Sequence, residues 1–79
     1  MSKLVVVKAV FDPEAQVWFT ESSDLPGLRL EGDTVDDLMS KLPNAVVDLM
    51  QVAGEAMDGD VAIELIAHAS TRASLSAAA

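Results

Sequence analysis

Thirteen acids, a single histidine and no cysteine define the chemistry this 79-residue chain can offer. His68 is the lone imidazole, and strand alternation sets it on the same face as Glu64. General base catalysis needs an imidazole oriented by a partner beside a pocket. A solitary surface histidine meets neither condition. There is no thiol nucleophile, and the serines near the end of the chain have no base beside them. Asp36 and Asp37 are adjacent, so on a helix they diverge and cannot act as paired carboxylates. Asp12, Asp24, Asp33 and Asp60 fall in loop contexts, where aspartate shapes turns. No inward-facing acid in the first strand marks a metal site, and Gly27 and Gly32 lack the spacing of a phosphate-cradling loop. The expectation is a protein without catalytic residues, cofactor or metal.

Electrostatics is the chemistry that remains. The net charge is −8 and the pI about 4.2. Eight acids lie between Phe11 and Asp37 against one cation, Arg29. Such a surface repels nucleic-acid phosphates and anionic membranes and attracts a basic partner. The plainer alternative is a solvated acidic surface that keeps a small protein in solution.

One amphipathic helix must position these groups. Val35, Leu38, Met39, Leu42, Val46, Leu49, Met50, Ala53 and Met57 recur at spacings of three and four, which predicts a helix over 34–57. Thr34 is its expected N-cap, with Asp37 in the acid position of a capping box. Pro43 removes a donor and crowds the Met39 carbonyl, so the expectation is one kinked helix or two short helices in near register. Leu38, Leu42, Val46 and Leu49 are the expected core stripe. Asp58-Gly59-Asp60 is the expected stop.

Strands surround the helix. Residues 3–11 are rich in Val and Phe and apolar on both faces apart from Lys8, the pattern of a central strand or of one covered by another chain. Asp12-Pro13-Glu14-Ala15 is a turn, and residues 16–21 form the antiparallel return strand. Trp18 and Phe19 alternate to opposite faces, and either could lie under the helix. In the loop 22–27, Pro26-Gly27 suits a type II turn, and Asp24 can accept from backbone N–H groups. Residues 28–31 and 61–69 are the third and fourth strands. The order β-β-β-α-β predicts an α+β domain over 1–71, with a mixed sheet in the order 3-2-1-4, its last strand parallel to the first. Residues 72–79 are the frayed end of the chain. An apolar stretch over 4–11 is too short to span a membrane, and without a targeting segment or cysteine the expected location is cytoplasmic.

The run SSDLPGL, the GDT helix start and the preceding DPEAQVW hairpin, together with the late VAIELIAHAS, resemble the HicB-like antitoxin superfamily. The likeness is strongest to a small bacterial domain-of-unknown-function family within it, and it covers about residues 3–71. The resemblance implies a degraded ribonuclease-H-like core that binds and blocks a small basic, RNA-cleaving toxin. Larger members carry a second, DNA-binding domain, so no direct nucleic-acid contact is expected of this domain. On that reading Glu21, Asp24, Glu31 and Asp33 meet the basic partner, and Trp18 is an apolar anchor. The alternative is an orphan structural domain that assembles with itself. Leu4, Val6, Val10 and Ile66 have no cover in a two-layer fold, which predicts a homodimer through them or through edge strands.

Overall fold

A computed structural model describes residues 3–54 and 59–76. Its architecture is α+β: a mixed, curled four-stranded sheet in the order β3-β2-β1-β4, with one helix on one face. β1 (Lys3–Asp12) pairs antiparallel with β2 (Val17–Ser23) and parallel with β4 (Val61–His68). The edge strand β3 is Glu31–Gly32, and the helix α1 is Val35–Val52. The parallel pairing of β1 with β4 places the helix in the crossover between β3 and β4, since a direct parallel connection cannot be made by a tight turn.

The core lies between α1 and one face of β1. Leu38, Leu42, Val46 and Met50, a strict four-residue repeat, are buried on the helix, and Val5, Val7 and Ala9 are buried on the strand. Val61, Ile63 and Leu65 of β4 pack against this cluster from the same sheet face. Leu49, expected in the stripe, is only half-buried, and Met50 takes the deep position. Leu49 points instead toward the 24–27 loop, where a Cβ added at Gly27 would lie 3.6 Å from its Cδ2.

At one position the structure decides between two expected alternatives, and at two others it departs from expectation for physical causes. Pro43 sits inside one continuous helix, so the two-helix alternative is excluded. Leu42 and Val46, both buried, hold the turns on either side of it to the sheet. The helix stops at Val52, with Ala53 as C-cap and Gly54 at φ +76°, the left-handed residue that commonly ends helices. Gly54 therefore ends the helix, and the expected last stripe residue, Met57, lies outside the described residues. The third strand is also shorter than 28–31. Thr20 explains this: its N–H donates to the Leu30 carbonyl at 3.1 Å, but its hydroxyl, not its carbonyl, accepts from Leu30 N at 3.0 Å. The same hydroxyl donates to the Leu28 carbonyl at 3.3 Å. A side chain thus satisfies the backbone that a ladder would have paired.

Register assigns the faces. Phe11 pairs with Trp18 and Val10 with Phe19, so Trp18 shares the helix-covered face and Phe19 the opposite one. Between Lys8 and Ala9 the pairing slips by one residue, leaving Glu21 as an extra residue on β2. The hairpin is closed by residues 13–16, with Gln16 at φ +60° and its N–H donating to the Asp12 carbonyl at 2.8 Å.

Candidate protein-binding groove

The open side of the β2 edge carries the most concentrated set of charged and apolar groups. Asp12, Glu21 and Glu31, with Arg29 among them, rim a shallow groove of about 680 Å³. Val17, Phe19, Leu28 and Leu30 supply its apolar part. Thr20 lines this groove, its hydroxyl bonded to the Leu28 carbonyl and to Leu30 N where residues 28–30 run beside β2. The β-bulge at Glu21 adds to it, since a bulged residue is freed from the ladder and re-aimed.

The sequence-expected contact residues divide among several places. Glu21 and Glu31 meet on the groove. Glu31 and Asp33 share a smaller hollow of about 190 Å³ with Asp37 and Lys41. Asp24 lies away from both, and its carboxylate accepts from Val6 N in β1 at 2.9 Å while its own N–H donates to the Val6 carbonyl at 3.1 Å. Expected to serve its own loop, Asp24 instead extends the β1–β2 pairing by one residue. Trp18 is on the other face of the sheet, its ring 5.4 Å from that of Phe11. Phe19, one of two aromatics expected as candidates to lie under the helix and not among the expected contact residues, is the aromatic of the groove. Its pairing with Val10 decides the face, and pairing register is not visible in a single strand.

The helix start abuts the smaller hollow. Thr34 Oγ1 accepts from Asp37 N at 3.0 Å, and Asp37 Oδ2 accepts from Asp33 N at 3.2 Å. This is a capping box displaced by one residue, since the reciprocal bond goes to Asp33 and not to the cap itself. Lys41 closes the set, with Nζ 3.2 Å from Asp37 Oδ2 and donating to the Glu31 carbonyl at 2.8 Å. The bond from Lys41, the Asp33 N–H and the lysine charge hold the Asp37 carboxyl below its ordinary value, partial burial opposing them. Gly32 fits closely here: a Cβ on it would lie 3.0 Å from Leu38 N and 3.2 Å from the Thr34 carbonyl, so the neighbouring backbone would have to shift.

Opposite the helix, the outer sheet face carries Leu4, Val6, Lys8 and Val10 beside Ala62, Glu64, Ile66 and His68. Leu4 is 57% exposed and Ile66 43%, while Val6 and Val10 are half-buried. No element of the described residues covers this face. His68 is exposed at the end of β4. Among the described residues no group of three or more His, Cys, Asp or Glu side chains is placed to hold a metal, and no helix is long and apolar enough to cross a membrane.

Comparison with known proteins agrees with the fold. The crystal structure of hypothetical protein TTHA1013, from the extremely thermophilic bacterium Thermus thermophilus, is similar to the chain at a TM-score of 0.67 and 34% identity. That likeness covers 92% of this chain and all of the Thermus chain. No curated protein matches significantly. The model of a domain-of-unknown-function family, DUF1902, matches residues 4–77, taking in all of the sheet but the first residue of β1, the helix and the segment beyond β4. The chain therefore belongs to the DUF1902 family.

Proposed function

We propose that this protein is a non-catalytic binding module of the HicB antitoxin type, acting as a cytoplasmic homodimer that neutralises a small basic, RNA-cleaving toxin. The groove carries this reading. It gathers Glu21 and Glu31 from two strands beside Phe19, so that acids outnumber the single cation Arg29 around a half-buried aromatic. Complementary charge speeds encounter and sets specificity, and a buried aromatic contact supplies affinity. The motif resemblance supplies the class of partner. Leu4 and Ile66 on the uncovered sheet face favour a second reading, a structural domain that only assembles with itself.

The test begins with capture of partners from native extract at low salt, where acidic surfaces bind most strongly. A small basic protein with ribonuclease activity that the module inhibits is the expected catch. Association kinetics then follow for the parent and for Glu21→Lys with Glu31→Lys. Both side chains are exposed, so the fold should persist. Association should slow by at least tenfold, and its salt dependence should flatten. Unchanged kinetics would leave the groove a solvated surface, and a stable oligomer that captures no basic protein would favour the second reading.

A further inference from the structure

We propose that residues 70–76 of one copy lie in the acidic groove of a second copy, with Arg72 between the groove carboxylates and Leu75 against Phe19. This deepens the homodimer reading above and rests on it. The segment after β4 runs away from the body of its own chain. Every residue from 69 to 76 is exposed, and Leu75 is 96% exposed. The long axis of the molecule is 64 Å, whereas β1, with ten residues, spans only about 33 Å. Eight further extended residues account for most of the difference. The radius of gyration is 16.5 Å, against about 12 Å for a compact chain of this length. Yet the family match continues through this segment to residue 77, so it is part of the domain.

Its chemistry fits the groove. In a chain of net charge −8, Arg72 is one of five Lys and Arg side chains, and it sits on the projecting segment. The groove offers Asp12, Glu21 and Glu31 to it against one like charge, Arg29, and Phe19 with Val17 to Leu75. Location fits as well. His68 pairs with Val10, and Val10 with Phe19, so the segment leaves the sheet at the end where the groove lies. Reaching its own groove would require the segment to turn back across β1 to the other edge of the sheet, and residues 69–75 contain neither Gly nor Pro, the strongest turn formers. A two-fold exchange needs no reversal and seats one segment in each groove, from which a basic toxin would have to displace it.

The natural absence of cysteine makes the test direct. Glu31→Cys and Leu75→Cys are both at exposed positions, so neither threatens the fold. Chains carrying one each, one of them tagged, are mixed and mildly oxidised. The expected product is the 31–75 disulfide between two chains, in excess over both symmetric pairs. A double variant that instead closes within one chain overturns the proposal. Sedimentation separates its failure from that of the homodimer. A parent that stays dimeric without the 31–75 link retains the dimer and loses the exchange, and a parent of 8.3 kDa at micromolar concentration loses both. Arg72→Glu should weaken dimerisation at least tenfold, and unchanged association would overturn the exchange.

Discussion

Thr20 has an outsized effect for one side chain. Its hydroxyl accepts from Leu30 N and donates to the Leu28 carbonyl, so it holds residues 28–30 beside β2 where ladder pairing with β3 stops. Thr20→Val keeps the shape and removes the bonds, leaving a partly buried N–H and C=O without partners. The expected cost is ~1–3 kcal/mol in urea unfolding, with Thr20→Ser recovering most of it. A Val variant as stable as the parent would mean that water replaces the hydroxyl. Asp37 makes a second prediction. Its carboxyl is held below the ordinary value of 3.8, chiefly by the bond from Lys41. A lowered folded value means that the ionised form is favoured by folding. The resulting stability is therefore present above the ordinary carboxylate range and disappears as pH falls through the lowered value. The stability gap between parent and Asp37→Asn should be widest near neutrality and should close in acid. It should also be modest and shrink with salt, because both partners of the ion pair are partly solvated. A gap that is constant across that range would assign the effect to capping alone.

At the scale of elements, packing decides more than propensity. The four-residue repeat Leu38, Leu42, Val46 and Met50 is the most deeply buried part of the helix, and it spans Pro43. Leu42→Ala should cost ~2–5 kcal/mol, a large share of what holds a domain of this size together. A melting point within a degree of the parent would contradict the placement of the stripe. The helix, its N-cap, the strand order and the type II turn at Pro26-Gly27 were all legible, because each depends on local periodicity or on one residue's backbone freedom. Gly27 adopts φ +87°, and Leu28 N donates back to the Leu25 carbonyl at 3.4 Å. The short β3, the bulge at Glu21 and the faces of Trp18 and Phe19 were not legible. Each follows from which residues meet across two strands, and alternation within one strand carries no such information. The candidate contact set was divided for the same reason. Glu21 and Glu31 are ten residues apart in the chain and joined by the β2 edge, whereas Asp24, close to Glu21 in sequence, is taken by Val6.

At the scale of the molecule, one helix covers one face of a four-stranded sheet, and no element among the described residues covers the other. A domain of this size buries only about 60–65% of the surface its unfolded chain exposes, so its own core is a thin source of stability. This chain has no disulfide to add to it. It does have Leu4 and Ile66 on an uncovered face and Leu75 on a projecting segment, all more than 40% exposed. Burial of apolar surface is the main force available to a small unstapled domain, at about 25 cal/mol per Å². Association would remove these side chains from water, and folding would then be coupled to it by mass action. The thermal midpoint should therefore rise with protein concentration over the micromolar range. Leu4→Ser with Ile66→Ser, exposed and outside the core cluster, should lower the midpoint and abolish its concentration dependence. A midpoint independent of concentration in the parent would show that the single layer of helix on sheet is sufficient by itself, and the open face would then be only solvated surface.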